Sequence, residues 1–399
     1  MEVPQRVALA VLASALLVGA GAGLGWFIST RSPQGGACAT TSVGPLTVEN
    51  ETSVLGSSLA TGSVQAFGAN RTSVIFGGVS YYHRNGEPFD SLPAAEEVSP
   101  GPSSIGPSSV DLTARLSPYF FEGGIFPVVW NGEEWLIAGQ TTVDNESEGA
   151  AVLLQGDAIT NLTGLVGPIF EGFGIWIAGW DGSGWLLGGN SSHGAALAYL
   201  ANGRVVNLTG ILPNNVPGDW VQMIAWNGTG WLVGGRGVFG ALYQGRYTDL
   251  LPGSPFGPGG VYAFDWDGHE WLASGSPTAV VQVQGSSLLP GPVLPPAFRG
   301  WVNTLVHASG LWIAAGGSYA AGGGYAPQLE LLGGVQPGSS VVDLSRCLPG
   351  VFSGGWVQFG GAAPVLSSHS YLLVGEGGAV PGSFSSHAAA ARLDLPAAG

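Results

Sequence analysis

Trp180-Asp181-Gly182-Ser183-Gly184-Trp185-Leu186-Leu187-Gly188-Gly189 decides how this chain is read, because close variants of it return at Trp130 to Gly139, Trp226 to Gly235 and Trp266 to Gly275. The Asp-Gly or Asn-Gly at its centre suits the positive-φ turn that matches strand twist, and apolar residues flank it, so the unit reads as a β-hairpin. Trp180 and Trp185 stand at its shoulders, and their odd separation puts both indoles on one face of the hairpin. Trp185-Leu186-Leu187 is apolar without alternation, the mark of a strand buried on both sides. Gly188 and Gly189 are expected to permit an abrupt exit.

Aligned on the strand after the turn, copies are anchored at Val74, Trp135, Trp185, Trp231, Trp271, Trp312 and Tyr371, each followed four residues later by glycine. The anchors are roughly 40 to 60 residues apart, the length of a four-stranded propeller blade. An Asx-Leu element recurs between them, at Asp111-Leu112-Thr113, Asn161-Leu162-Thr163, Asn207-Leu208-Thr209, Asp249-Leu250-Leu251 and Asp343-Leu344-Ser345. In the best-defined repeat the strands are expected at Ile125 to Trp130 (A), Trp135 to Ala138 (B), Ala151 to Leu154 (C) and Ala158 to Thr163 (D). The expected fold class is all-β: a seven-bladed β-propeller over residues 46–395, preceded by one N-terminal transmembrane helix. The last blade runs short after Tyr371, so its outer strand is expected from Leu46 to Thr52, closing the ring.

At the level of the repeat, Leu186-Leu187-Gly188-Gly189 resembles the kelch repeat of galactose-oxidase-like propellers. Asp181-Gly182-Ser183-Gly184-Trp185 is similar to the Asp-box of sialidase-like propellers, with one residue fewer between Asp and Trp and no leading Ser. The resemblance implies a kelch-like or Asp-box-like surface propeller, and a shared fold does not carry function.

The composition, with 69 glycines, 27 prolines and 45% hydrophobic residues in 399, suits many short strands joined by tight turns. Only 9% of residues are charged, the basic ones are all arginine, and the net charge of -15 argues against nucleic acid as a partner. Residues 1–6 read as a short cytoplasmic tail. From Val7 to Ile28 the chain is uncharged and long enough to span a bilayer. The competing reading is a cleaved signal peptide, since Val18-Gly19-Ala20 and Ala20-Gly21-Ala22 offer small residues at a cleavage point. Either reading exports the remainder, with 29–45 as a linker and the propeller on the extracytoplasmic side of the cell membrane. Sequons at Asn50, Asn70, Asn145, Asn161, Asn190, Asn207 and Asn227 agree with a glycosylated surface protein, and Cys38 and Cys347 form a candidate disulfide.

Candidate site residues are few. Trp220, Trp301 and Trp356 open A strands near the channel mouth, where indoles suit stacking on sugars, and blade packing is the plainer role for them. His193 and His387 lie in Ser-Ser-His segments before C strands, and His369 repeats that tripeptide. Asp144, Glu146 and Glu148 alternate in one loop and offer oxygens to calcium, although no full calcium-loop pattern surrounds them. No other cofactor is expected. No phosphate loop, Cys-x-x-Cys pair, His-Glu-x-x-His or Gly-x-Ser-x-Gly is present. The leading expectation is a membrane-anchored binding or adhesion module for an extracellular glycan or protein; the rival is a glycan-active enzyme of sialidase-like or lyase type. Contacts are expected on the face of the variable B-to-C loops, Gln140 to Gly149, Gly317 to Tyr325 and Gly375 to Ser386, because variable loops on a rigid scaffold are where binding usually resides. A Pro-rich C-to-D insertion, Glu87 to Ser109, is expected on the opposite face.

Overall fold

A computed structural model describes residues 47–50, 55, 59, 62–70, 72–82, 90–99, 108–213, 215–276, 278–296, 298, 300–308, 310–319, 325–348, 352, 356–361, 370–377 and 387–394. It contains seven four-stranded antiparallel sheets. Six are built from four consecutive strands. The first blade holds β2 (Gly62–Ala69), β3 (Val74–Tyr82), β4 (Asp90–Ser99) and β5 (Ser108–Asp111); the second β6 (Gly124–Trp130), β7 (Trp135–Val143), β8 (Glu146–Gln155) and β9 (Ala158–Asn161). The third holds β10 (Ile175–Trp180), β11 (Trp185–Ser191), β12 (Gly194–Ala201) and β13 (Arg204–Asn207); the fourth β14 (Trp220–Trp226), β15 (Trp231–Arg236), β16 (Val238–Tyr243) and β17 (Arg246–Asp249). The fifth holds β18 (Val261–Trp266), β19 (Trp271–Gly275), β20 (Val280–Gln284) and β21 (Ser287–Pro290); the sixth β22 (Gly300–Ala308), β23 (Leu311–Tyr319), β24 (Tyr325–Leu332) and β25 (Val341–Asp343). The remaining sheet is composite: β26 (Trp356–Gly361), β27 (Ser370–Gly377) and β28 (His387–Asp394) are joined by β1 (Thr47–Asn50), in the order β1-β28-β27-β26.

The expected fold class, a seven-bladed propeller preceded by one transmembrane helix, needs correction as a description of this structure. Among the described residues no helix is long and apolar enough to cross a membrane. The two α-helices among the described residues, α1 (Thr113–Leu116) and α2 (Thr163–Val166), are single turns that follow outer strands. The blade of four consecutive strands occurs six times, and the remaining sheet borrows β1 from far away in the sequence. Val7 to Ile28 lies outside the described residues.

The hairpins form because their turns are locally determined. In the third blade Asp181 Oδ1 accepts the N–H groups of Ser183 at 2.8 Å and Gly184 at 2.9 Å, while Gly182 takes φ 93°. Trp180 is then paired directly with Trp185, ring centroids 4.5 Å apart. Trp130 and Trp135, Trp226 and Trp231, and Trp266 and Trp271 repeat the arrangement at 4.9, 5.1 and 5.2 Å. The sixth blade substitutes His307 opposite Trp312.

Gly188 and Gly189 do not end their strand, which continues to Ser191. A Cβ on Gly188 would lie 2.4 Å from Val221 of the next blade, and one on Gly189 2.0 Å from the Gly174 carbonyl. The Gly-Gly pair therefore lets the innermost strands close up.

Among the described residues the core is divided into several clusters. Apolar side chains fill the seams between consecutive blades: Leu136, Ala138 and Ala151 of the second pack with Ile175, Trp185 and Leu187 of the third, and Val166 and Phe170 from the connecting segment plug the gap. Phe120, Phe256 and Phe352 fill the equivalent position elsewhere. The first strands pack on one another in succession, β2 on β6, then β10, β14, β18, β22 and β26, and β26 returns to β2. They surround a central channel, as in propellers generally.

Two expected loops are strands. Gln140 to Gly149 is a continuation of the β7–β8 ladder from Gln140↔Gly149 to Val143↔Glu146, because Asp144 (φ 52°) and Asn145 (φ 65°) make a tight mirror-type turn. Glu87 to Ser109 contains β4, paired with β3 from Val74↔Val98 to Tyr82↔Asp90, rather than a C-to-D insertion.

Candidate functional site

The pairing of each first strand with the second slips once. The slips fall between Val64 and Ala66, Ile125 and Val128, Ile175 and Ile177, Val221 and Met223, Val261 and Ala263, Val302 and Thr304, and Val357 and Phe359. A bulge leaves a residue out of the ladder and re-aims its side chain. The residues left out include Gln65, Phe126, Trp176, Gln222, Tyr262 and Asn303, all half-buried on the innermost strands while their neighbours Val64, Ile125, Ile175, Val221, Val261 and Val302 are buried in the seams. The bulges thus line the channel mouth with amide and aromatic side chains. No such ring was anticipated from the sequence, yet its signal is there: these six stand nine residues before Val74, Trp135, Trp185, Trp231, Trp271 and Trp312.

The ring is held in place by its own contacts. Phe126 packs on Trp176, centroids 4.3 Å apart, and Trp176 Nε1 donates to Asn190 Oδ1 at 2.6 Å. Trp220 Nε1 donates to Gln222 Oε1 at 3.0 Å, and the Arg236 guanidinium lies 5.3 Å from the centre of the Trp220 ring. Tyr262 donates its hydroxyl to the Gly259 carbonyl. Burial pushes the Tyr262 phenol up, and the nearby Arg236 charge pulls it back.

Of the residues singled out from the sequence, Trp220 and Trp301 lie half-buried at this mouth, in β14 and β22. Trp356 opens β26 and His387 opens β28, at the same end of their sheets. His193 is in the β11–β12 turn, its Nδ1 3.0 Å from Ser192 Oγ. The acidic trio does not assemble: among the described residues no group of three or more His, Cys, Asp or Glu is placed to hold a metal ion. Asp144 is spent in the tight turn, while Glu146 and Glu148 lie along β8.

The sequons divide. Asn190 is 6% exposed and its amide oxygen holds Trp176. Asn161 and Asn207 are exposed but belong to a structural device: each Oδ1 accepts the N–H of the Thr two residues on, at 2.9 Å. Asn70 and Asn227 likewise cap their hairpin turns, Asn145 is an exposed turn residue, and Asn50 lies on β1. Cys347 is disulfide-bonded, and the only other cysteine, Cys38, lies outside the described residues.

On the opposite face a groove of about 740 Å³ runs between the fourth and fifth blades, lined by Trp231, Tyr243, Trp266, His269, Glu270 and Gln284 among others. Within its fifth-blade wall Gln284 Nε2 donates to Glu270 Oε2 at 3.2 Å.

No protein-family model matches the sequence, and no curated protein matches it either. Solved structures do. The WD40 β-propeller domain of Doa1 superposes with a TM-score of 0.51 at 11% identity, over 83% of this chain and 93% of that one. The fold is that of a β-propeller. YCF48, solved bound to D1 peptide, matches with a TM-score of 0.53 at 9% identity, over 91% of this chain and 99% of that one. Sqt1 of Chaetomium thermophilum, bound to the N-terminus of ribosomal protein L10, gives 0.46 at 12% identity, over 79% and 82%. The likeness to Doa1 and YCF48 supports the propeller and its repeats, and kelch or Asp-box membership is not part of it.

Proposed function

We propose that this chain is a binding module on the extracytoplasmic side of the cell membrane, and that its propeller holds a segment of a protein partner across the channel mouth. The observation that carries this reading is the ring of bulged amide and aromatic residues, Gln65, Phe126, Trp176, Gln222, Tyr262 and Asn303, set on rigid inner strands. Amide side chains offer a donor and an acceptor each, the complement of a peptide backbone. A glycan partner is disfavoured because the stacking surfaces it needs are partly taken: Phe126 covers Trp176 and Arg236 covers Trp220. Extracytoplasmic placement is supported by the apolar run Val7 to Ile28 and by the disulfide-bonded Cys347.

The test is selection of a displayed peptide library on the full-length protein, with a glycan array in parallel. Peptides are expected to be retained, with retention lost in Trp176→Ala and Gln222→Ala and kept in Tyr243→Ala on the opposite face. Retention of glycans without peptides, or loss of binding only in Tyr243→Ala, would refute it.

A further inference from the structure

We propose that the Trp220–Arg236–Tyr262 corner of the channel mouth is a carboxylate-binding subsite, which takes the terminal or side-chain carboxylate of a bound peptide; this rests on the peptide-binding reading above. Arg236 is exposed at the end of β15, directly paired with Trp220. Its guanidinium is held over the Trp220 ring, and among the described residues no carboxylate pairs with it. The other arginines with described side chains are elsewhere: Arg204 and Arg246 start outer strands, and Arg115 bridges to Gly156 and Asp157. Among the described side chains Arg236 is therefore the one arginine at the mouth, in a protein with a net charge of -15.

The corner is preorganised on both sides. Gly237, at φ 68°, follows Arg236, and a Cβ there would fall 2.2 Å from Asp219 Cγ, so the Asp219 carboxylate is packed under the turn. Asp219 is itself buried and accepts the Val216 N–H at 3.1 Å. From the fifth blade Gly260, at φ 97°, presses on Arg236, where a Cβ would lie 2.9 Å from Arg236 Cα. The indole N–H of Trp220 is spent on Gln222, which leaves its ring to orient the guanidinium. Stacking fixes the plane of the guanidinium and leaves its edge of N–H donors for a planar, two-oxygen acceptor. The Nε2 donor of Gln222, whose oxygen is held by Trp220, and the amide of Asn303 farther round the mouth are then available to the peptide groups that precede that carboxylate.

The experiment uses the full-length protein and three matched peptide libraries: free C-termini, amidated C-termini, and amidated C-termini without Asp or Glu. Binding is compared between the wild type and Arg236→Gln, with thermal unfolding as the check that the variant is folded. The expected result is a loss of about tenfold or more when the carboxylate is removed, the same loss in Arg236→Gln, and no further loss when both are combined. Binding of the second library but not the third assigns the carboxylate to a side chain, and binding of the first alone assigns it to the terminus. Should all three libraries bind equally well to wild type and Arg236→Gln, the subsite is wrong while peptide binding stands. Should no library bind at all, both proposals fall. Arg236→Lys separates bidentate recognition from simple charge, since a point charge is expected to restore only part of the affinity.

Discussion

The Asp265 carboxylate on β18 accepts the backbone N–H of His307 on β22 at 2.9 Å, so a side chain of the fifth blade ties the backbone of the sixth to it. Its other oxygen accepts the Trp266 N–H at 2.8 Å. Burial pushes the Asp265 carboxyl up to about 6, against those two hydrogen bonds, which lower it. The same seam contains Glu330, 0% exposed on β24, whose carboxyl oxygens have no hydrogen-bond partner and whose pKa burial raises to about 8. Gln282, 1% exposed, faces it from β20 with an unpartnered Oε1 of its own.

Stability should therefore fall as pH rises. Both groups hold their proton more tightly folded than unfolded, so their contribution is full below the ordinary carboxylate range. It is lost as pH climbs through about 6 for Asp265 and about 8 for Glu330. For Glu330 the loss is on the order of a few kcal/mol. Glu330→Gln should flatten the upper part of the profile. Thermal unfolding from pH 4 to 9 checks this, and a wild-type profile that rises across the upper range would contradict it.

Most of the propeller was legible because its signals are local. The Asx-Gly turn and the two flanking tryptophans fix a hairpin within ten residues, and repetition does the rest. What was not legible depends on contacts across strands or blades. Gly188 and Gly189 read as an exit, when their reason is the approach of Val221 and the Gly174 carbonyl. Strand β4 was hidden in a segment that looks like an insertion, since its Glu96 is charged by type yet 3% exposed. The bulges at Trp176, Gln222 and Tyr262 exist only in the register between two strands. Arg236, paired with Trp220 across the open end of the hairpin, was not legible, since the pairing exists only once the strands are in register.

Asn190 should carry no glycan even if the exposed sequons do. Its replacement by Leu should cost about 1 to 3 kcal/mol, since the Trp176 indole N–H would lose its acceptor. Glycopeptide mapping and denaturant unfolding are the measurements. A glycan on Asn190 would mean that β10 and β11 do not pair as described.

The paired indoles should differ in what they tolerate. Trp231, 6% exposed against Trp226, should cost about 3 to 5 kcal/mol on truncation to Ala. Trp185 has a buried Nε1 with no partner, so Trp185→Phe removes an unsatisfied donor and should cost far less than Trp185→Ala. Chemical denaturation of the three variants tests this, and equal losses for Phe and Ala at 185 would contradict it.

The Asx-Leu-Thr element acts as a latch between the outer two strands of a blade. Asn161 Oδ1 accepts the Thr163 N–H, Thr163 Oγ1 in turn accepts the Ala151 N–H at 3.3 Å, and the Leu162 N–H bonds the Ala151 carbonyl. Thr209 does the same for Leu197, Thr113 for Ala95 and Ser345 for Leu329. Thr209→Val should cost about 1 kcal/mol by orphaning the Leu197 N–H, with faster amide exchange at that position. In the fourth blade Leu251 stands in place of the hydroxyl residue, so Leu251→Ala should leave amide exchange at its outer strands unchanged.

The composite sheet gives the last prediction. Strand β1 runs antiparallel to β28, from Thr47↔Asp394 to Asn50↔Ala391, and covers an edge that would otherwise offer unpaired N–H and C=O groups. Deleting residues 45–53 should lower the unfolding temperature by more than the loss of an exposed segment of that length explains, and should promote edge-to-edge association. The excised segment, added back as a synthetic peptide, should reverse both effects, because only the backbone ladder and not the covalent link supplies the cover. A second tie is testable on the same protein. Cys347 follows β25 in the sixth blade, next to the composite sheet, and its bond is expected to lead to Cys38, a few residues before β1. Non-reducing peptide mapping should recover a Cys38–Cys347 peptide. Reduction should add to the loss caused by the deletion less than it costs the intact protein, since a tether that holds β1 in place has nothing to hold once β1 is gone. Unchanged unfolding of the deletion variant, with or without reductant, would mean that β28 needs no partner.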